Sequence, residues 1–403
     1  MLSWEFPPHN VGGLGKHVTE LVPALARAGV EVHLVTPRWG GGVDQEVLDV
    51  ADGGPDRPPP ITVHRVEPPG AEMPDFFTGA WRTNVSIEEY AKRLIDRETY
   101  DLIHAHDWLV AFSGVALKNA YRIPLLATIH ATEHGRNRGT LQGEIPRAIH
   151  NVEWWLTYEA WRVIACSDYM AREIANVFRT PPDKIDVVPN GVDTGPFDRL
   201  DGEDLTEFRR RFALDDEQII FYVGRVVHEK GVHLLVEAMP QILAQRPSAK
   251  LVVAGTGGSL AYARERAEAL GLGGKAVFTG FIPDEDRNRL FRVANVAAFP
   301  SLYEPFGIVA LEAMAARTPV IVADVGGLSE VVQNHETGLT IYPDNLDSLT
   351  WGVLHTLNNP EWARQRVENA YRVVRERFNW DTIAQSTAAV YRRIAAERKT
   401  ADW

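Results

Sequence analysis

The stretch ANVAAFPSLYEPFGIVALEAMA, residues 294–315, decides the fold. Residues 294–299 form a short apolar run that ends at Pro300, as strands buried on both faces of a sheet do. A loop then carries Glu304, and a helix is predicted to begin near Phe306-Gly307. A buried strand, a loop and a helix in this order form the repeating unit of a parallel α/β sheet.

The same alternation occurs in both halves of the chain. Apolar runs rich in Val and Ile lie at 31–36, 61–66, 101–105, 124–129, 162–166 and 185–188, and again at 219–223, 250–254, 276–279, 294–299, 319–323 and 339–342. Helical patterns separate these runs; one of them covers 16–28 and stops at Gly29. We therefore predict an α/β protein with two doubly wound, Rossmann-like parallel sheets. Ligands of such sheets bind at the carboxyl ends of the strands, so the expected site is a cleft between the two domains.

The domain boundary is predicted within VVPNGVDTGPFD, 187–198, where prolines and Asn-Gly follow a strand. The predicted domains are 1–190 and 191–380, followed by a final helix over 381–403. Residues 41–60 are interpreted as a surface loop. Only MLSW precedes the first loop, so the first strand is short; either the natural start lies upstream or the strand is clipped.

Composition excludes several classes of protein. The chain has 403 residues, and Lys+Arg 42 against Asp+Glu 54 gives a net charge of −12. A nucleic-acid partner is not expected, because binding a phosphate backbone needs a basic face. No apolar stretch is long enough to span a membrane, and a signal peptide is not expected in the first residues. The single cysteine, Cys166, excludes internal disulfides and favours a reducing, cytoplasmic location. The oligomeric state cannot be inferred.

The motif GRVVHEKG, 224–231, places two cations directly after the first strand of the second domain. Arg225 and Lys230 lie across a turn from each other, and two cations without a carboxylate cluster suit a diphosphate. The alternative is a surface ion pair of either cation with Glu229.

The loop and helix of 301–315 offer a second anion-binding feature. The backbone N–H groups of Phe306, Gly307 and Ile308 lie at the positive end of the predicted helix, where a phosphate binds well. Glu304 just precedes that end, and Glu312 lies about two turns further along the helix. The alternative interpretation makes Glu304 a helix cap and Glu312 a solvated helix residue.

Three features of the first domain are candidates for ligand contact. Gly12-Gly13 open a helix after a short strand, which permits close approach of an anion, although a plain tight turn explains them equally well. His130 ends the strand 124–129 and is expected to face the ligand. Asp107 and Trp108 follow the strand at 101–105 and could bind sugar hydroxyls and a sugar ring. Alternatively, Asp107 caps a helix over 108–117.

A metal site is not predicted. His104 and His106 alternate on one strand, but no third ligand appears at a telling spacing.

Taken together, these motifs resemble the retaining GT-B glycosyltransferases of family four, in the branch that contains glycogen, starch and sucrose synthases. The resemblance covers essentially the whole chain. It is carried by these segments in the expected order: VGGLGKHVTEL, HAHDW, PNGVD, GRVVHEKG, EPFGIVALE and GGLSEVV. One departure is Asn10, where typical bacterial glycogen synthases carry a Lys; Lys16 is a possible replacement.

The resemblance implies a role for each candidate residue. Arg225 and Lys230 would hold the donor diphosphate, Glu304 the transferred sugar and Glu312 the ribose. Phe306, Gly307 and Ile308 would line the phosphate and sugar, while Gly12 and Gly13 would face the diphosphate. His130 would contact the sugar 6-hydroxyl, and Asp107 and Trp108 would lie on the sugar or acceptor side. The final helix would cross back to the first domain, making 1–190 the acceptor side and 191–380 the nucleotide-sugar side.

The expected activity is transfer of a hexosyl unit, preferably glucosyl, from a nucleotide diphosphate sugar to a sugar or α-glucan hydroxyl with retention of configuration. The expected donor is ADP- or UDP-glucose, with no metal and no cofactor. One alternative is a mannosyl- or N-acetylglucosaminyltransferase acting on a lipid or small-molecule acceptor. Another is a sugar-nucleotide binding protein without turnover, and a third is a GT-B phosphorylase, whose cofactor lysine motif is not evident.

Overall fold

A computed structural model describes residues 1–10, 12–50, 58–70, 72–401 and 403. The chain divides into two compact units. The first unit comprises Met1–Asn190 together with Trp380–Trp403, and the second comprises Gly191–Asn379. Trp380, which the sequence assigned to the second domain, therefore belongs to the first unit.

The sheet of the first unit is built in two parts. Its strands are β1 (Val32–Pro37), β2 (Gln45–Leu48), β3 (Ile61–Val66), β4 (Ile103–His106), β5 (Leu125–Ile129), β6 (Arg162–Ala165) and β7 (Ile185–Val187). They are ordered β1-β3-β2 and β4-β5-β6-β7, and each pairing is parallel except β2 with β3. Leu2 bridges to Val35 and to Ala105, so the first residues of the chain lie between β1 and β4.

Seven helices of the described residues surround this sheet. They are α1 (Gly13–Arg27), α2 (Phe76–Ile95), α3 (Ala111–Tyr121), α4 (Glu133–Arg136), α5 (Glu144–Glu159), α6 (Asp168–Phe178) and α16 (Trp380–Thr400). Leu21 and Leu25 of α1 share one hydrophobic core with Ile383 and Ala384 of α16. Arg27 also pairs with Asp381 across the two helices. The last helix is therefore an integral part of the first unit.

The second unit contains one six-stranded parallel sheet. Its strands are β8 (Gln218–Val223), β9 (Ala249–Ala254), β10 (Ala276–Gly280), β11 (Val296–Phe299), β12 (Val320–Ala323) and β13 (Leu339–Ile341). The order β10-β9-β8-β11-β12-β13 is that of a doubly wound sheet, in which the connections reverse direction between β8 and β11. Loops leaving these two strands diverge to opposite faces, which opens a crevice at their carboxyl ends.

The helices of the second unit complete its α/β layers. They are α7 (Gly195–Asp198), α8 (Thr206–Arg210), α9 (Val232–Gln245), α10 (Leu260–Ala269), α11 (Asp284–Val293), α12 (Ile308–Ala315), α13 (Leu328–Val331), α14 (Leu346–Asn358) and α15 (Pro360–Arg377). No helix in the described ranges combines the length and apolar character needed to cross a lipid bilayer.

The predicted fold class is confirmed, since every predicted apolar run contains a strand of a doubly wound sheet. The interpretation of 41–60 as a loop is wrong where β2 pairs antiparallel with the edge of β3. Because β2 alternates exposed and half-buried residues at a sheet edge, it lacks the apolar run used to find the other strands. Residues 51–57 of that segment lie outside the described residues. Helix α1 begins at Gly13, three residues before the predicted 16.

Candidate active site

Arg225 lies in the loop that leaves β8 at the switch point of the second unit. The Tyr222 hydroxyl donates to the Arg225 carbonyl oxygen at 2.9 Å, which fixes the backbone. The side chain is 49% exposed, and its Nη2 lies 3.5 Å from Oε1 of Glu229. The alternative pairing with Glu229 is therefore present, but a half-exposed pair of this length is weak and leaves the guanidinium able to rearrange toward a ligand.

Lys230 forms a tighter pair with a different carboxylate. Its Nζ donates to Oε2 of Glu304 at 2.7 Å, and the two side chains are only 18% and 11% exposed. The sequence had not joined these two residues, which follow β8 and β11. The switch point brings them together, so a cation and a carboxylate lie side by side where the crevice opens.

Backbone packing holds the two loops in contact. The Leu302 N–H donates to the Glu229 carbonyl at 2.8 Å. Gly231 has φ +70, and a Cβ there would lie 1.9 Å from the Pro300 carbonyl oxygen, so only glycine fits. This close approach keeps the Lys230–Glu304 pair in register.

The start of α12 is an open helix terminus. Gly307 is the N-cap with φ 106, and no side chain caps the helix. The interpretation of Glu304 as a cap is therefore wrong, because its carboxylate is held by Lys230. Within the described residues, the N–H groups of Gly307 and Ile308 donate to no acceptor. The predicted phosphate-binding donors are thus available, while the neighbouring ring of Phe306 is buried.

Glu312 is buried on α12 instead of solvated. It is 2% exposed, and one of its oxygens lies 3.4 Å from Nη2 of Arg287. The solvated interpretation is wrong because α12 packs inside the unit. Contact between Glu312 and a ribose remains a prediction.

In the first unit, Asp107 positions His130 through the backbone. Oδ1 of Asp107 accepts from the His130 N–H at 3.0 Å, which ties the ends of β4 and β5 together. Asp107 has φ 64 and makes no side-chain cap bond, so the helix-cap interpretation is wrong. Burial raises the pKa of this carboxyl to about 6.

The partly buried His130 belongs to a cluster of imidazoles that includes the buried rings of His17 and His106. Nδ1 of His106 lies 3.2 Å from Nε2 of His130, and Nδ1 of His17 lies 2.6 Å from Oδ1 of Asn190. Burial, reinforced by Arg136, lowers the pKa of His130 to about 3, so this imidazole is neutral at pH 7. Nδ1 of His130 receives no hydrogen bond from any residue in the described ranges.

The same cluster corrects the reason for excluding a metal. Ring nitrogens of His17, His106 and His130 lie within 4.8 Å of one another, so a third imidazole is present although its sequence spacing gave no signal. Neutral imidazoles are suitable metal ligands. Against a cation stand the burial of the rings and the nearby positive charge of Arg136.

Trp108 does not offer a sugar platform. The indole is 3% exposed and stacks on Phe77 with ring centroids 5.8 Å apart, while Phe76 meets it edge-on. The predicted sugar contact is therefore wrong, because the short helical turn over Trp108–Val110 directs the ring into the core.

The start of α1 carries a group that sequence reasoning missed. The Gly12 N–H donates to Oε2 of Glu5 at 3.1 Å. A Cβ at Gly15 would lie 2.5 Å from the same oxygen, so the glycines make room for this carboxylate. A phosphate at Gly12 would have to displace Glu5. The separation of Glu5 from the glycines across two prolines hid the contact.

Comparison with known proteins matches both units to family models. The model described as Glycosyltransferase Family 4 matches residues 11–195, and that described as Glycosyl transferases group 1 matches 204–373. An uncharacterized glycosyltransferase of Methanocaldococcus jannaschii is 41% identical over 98% of each chain. A glycogen synthase of Mycobacterium tuberculosis is 35% identical over 99% of this chain and 94% of its own. Among solved structures, sucrose-phosphate synthase from Thermosynechococcus elongatus is similar with a TM-score of 0.79 and 28% identity, covering 98% of this chain and 100% of its own.

Proposed function

The chain belongs to glycosyltransferase family 4, with the GT-B fold, and it is a hexosyltransferase; on this premise we propose which group it transfers. The proposed reaction moves a glucosyl unit from ADP- or UDP-glucose to the hydroxyl of an α-glucan. The anomeric configuration is retained, and neither metal nor cofactor takes part.

The arrangement at the β8–β11 switch point carries this proposal. Lys230, Arg225 and the open N–H groups of Gly307 and Ile308 are positive groups around one crevice. Departure of a nucleoside diphosphate places negative charge on the leaving oxygens, and preorganised donors at that position stabilise it most. No strong base is required, since the leaving phosphate can take the acceptor proton in a front-face attack.

Glu304 is proposed to orient the sugar without attacking it. Its carboxylate is engaged by Lys230 at 2.7 Å, which makes it a poor nucleophile. When a diphosphate draws Lys230 toward itself, one carboxylate oxygen is released for a sugar hydroxyl. His130 of the first unit is proposed to bind a substrate hydroxyl, because an uncharged imidazole can donate or accept without attracting a counter-ion.

The α-glucan acceptor rests on the similarity to the mycobacterial glycogen synthase. The similarity to sucrose-phosphate synthase supports a second candidate, transfer to a small sugar acceptor. A cytoplasmic location remains a prediction from the sequence.

A donor screen tests the proposal directly. ADP-, UDP- and GDP-sugars are each incubated with glycogen or with small sugar phosphates, and nucleotide release and product mass are measured. We expect release from ADP- or UDP-glucose that depends on glycogen, with an α-linked product. Release that depends only on a small sugar would favour the second candidate, and binding without any release would contradict both.

A further inference from the structure

A surface groove runs along α14 in the second unit, away from the crevice described above. Its volume is about 450 Å³, within the range of small-ligand sites. Helix α9 contributes Gln241 and Gln245, which lie in its last turns. Because a helix rises about 1.5 Å per residue, these side chains are roughly 14–20 Å from the end of α9 that follows Lys230.

Polar groups line the groove, and one of them is the carboxylate of Asp347. The hydroxyl of Thr350 donates to Oε1 of Gln241 at 3.1 Å, and the amide nitrogen of Gln241 makes no hydrogen bond within the described ranges. Within the described ranges, the side chains of Gln245, Asp347 and Asn358 have no hydrogen-bond partner. Amides and one carboxylate with free positions match the vicinal hydroxyls of a sugar. No Lys or Arg among the described residues lines the groove, so a phosphate or nucleotide is a poor fit.

Aromatic rings supply the apolar part of the groove. Trp351 lines it and is 47% exposed, although its ring is held by stacking on His355 at 5.1 Å. Trp362, 63% exposed, meets the same imidazole edge-on at 6.1 Å. An indole that is exposed and held in place offers a flat apolar face, and such a face packs well on the C–H face of a sugar ring.

We propose that this groove binds a neutral oligosaccharide, with Trp351 as the platform and Gln245 and Asp347 as hydroxyl partners. The site would hold a glucan chain remote from the reacting end and so increase the residence of a polymeric substrate. The choice of a glucan rests on the proposed function, whereas the binding of a neutral sugar chain rests on the groove alone.

The test measures binding without donor. Maltoheptaose, cellohexaose and mannohexaose are titrated separately by calorimetry into the full chain and into W351A, Q245A and Y262A. Tyr262 is the matched control, an exposed aromatic of the same unit that does not line the groove. In W351A, loss of the aromatic contact should raise the dissociation constant of at least one of these sugars about 3–10-fold. Q245A should raise this dissociation constant by a smaller factor, and Y262A should leave it unchanged.

A second readout is the ratio of kcat/KM for glycogen to that for maltotriose, which should fall in W351A and stay constant in Y262A. If no sugar binds at millimolar concentration, or if binding is the same in W351A and Q245A as in the unaltered chain, the groove is not a sugar site. If no nucleotide sugar is turned over in the donor screen but a sugar still binds and depends on Trp351, the proposed function is wrong. The assignment of the groove as a sugar-binding site then still holds. If W351A does not fold, Q245A decides the binding result alone.

Discussion

The two units present opposite chemistry at the carboxyl ends of their strands. In the first unit, Asp107 is buried and His130 is partly buried, and loss of hydration raises the pKa of Asp107 and lowers that of His130. In the second unit, Lys230 and Glu304 form a close ion pair, and Arg225 remains half exposed. At pH 7 the first unit therefore offers a neutral imidazole beside a carboxylate that takes up a proton near pH 6, whereas the second offers a close ion pair and a half-exposed guanidinium.

This difference suits the two units to different ligand groups. Hydroxyl groups are recognised by neutral donors and acceptors, whereas a diphosphate needs positive charge. The contrast also predicts that loss of a charged group costs more activity than loss of a neutral one, because charge-assisted hydrogen bonds are the stronger.

The largest effect is expected from the cations of the second unit. R225A and K230A should each lower turnover by about 10²–10³-fold, as expected when a preorganised charge stabiliser is removed. Steady-state kinetics with the donor found in the screen measures this. Near-normal activity in either variant would remove that residue from the diphosphate site.

The free energy of unfolding should differ between K230A and R225A. K230A leaves the buried Glu304 carboxylate without its partner, which should cost about 3–5 kcal/mol of unfolding free energy. Arg225 is half exposed, so R225A should change stability by no more than about 0.5 kcal/mol. Denaturant unfolding measures both, and the double variant K230A/E304Q should recover stability but not activity. Equal stability of K230A and R225A would show that the pair is not structurally important.

A smaller effect is expected at His130. H130A removes a neutral hydrogen bond worth about 1 kcal/mol, so kcat/KM should fall only about 5–10-fold. The measurement is kinetic, under the same conditions as for R225A. A loss as large as that of R225A would mean that His130 acts as a charged group, contrary to its lowered pKa.

Acid should destabilise the first unit more than the second. His130 stays neutral in the folded state down to about pH 3, whereas in the unfolded chain it protonates below about 6.5. The unfolded state then binds more protons, so stability falls as pH decreases below about 6.5, by up to about 1.4 kcal/mol per pH unit for each such imidazole. The pKa values of His17, His104 and His106 shift in the same direction because of burial.

Two carboxyls of the first unit have the opposite effect on the pH dependence of stability. Burial raises the pKa of Asp107 to about 6 and that of Glu153 to about 8, so their contribution falls as pH rises from about 4 toward those values. The imidazoles outnumber them, so the net slope below pH 6.5 remains acid-destabilising. Hydrogen exchange resolved by peptide, at pH 7 and pH 5, compares the units after correction for the intrinsic exchange rate. Equal loss of protection in both would contradict the contrast.

No effect is expected from chelation. Activity should be the same after exhaustive EDTA treatment, because charge at the second unit is supplied by side chains and backbone N–H groups. Activity lost with EDTA and restored by Mg²⁺ or Mn²⁺ would mean that a cation contributes. Restoration by Zn²⁺ alone would indicate a zinc site at His17, His106 and His130.

The sequence predicted what depends on local pattern. Buried strands show as apolar runs, and the loops at their carboxyl ends can be counted from them, so the amino-acid order alone places Arg225, Lys230, Glu304 and His130 after strand ends. Contacts between distant segments could not be predicted. The pairing of Lys230 with Glu304, and the contact of Glu5 with Gly12, depend on the order of strands and on turns that no local pattern encodes.

Side-chain direction was the other source of error. Trp108 follows a strand end just as Asp107 does, yet a single helical turn directs the indole into the core. The edge strand β2 was not predicted for a related reason, since a half-exposed strand has no apolar run. His17 lies within the helix predicted over 16–28, but only the fold shows that it faces His106 and His130.

The contribution of α16 to the first unit has a consequence for biosynthesis. The second unit is one continuous segment, Gly191–Asn379, whereas the first is completed only by Trp380–Thr400. On the ribosome, where domains generally fold in the order in which they are made, this order is reversed. The second unit is completely synthesised before α16 is made. Until α16 emerges, the apolar side chains of Leu21 and Leu25 in the first unit lack the helix that shares their core. The nascent first unit is therefore the part that most needs a chaperone during translation.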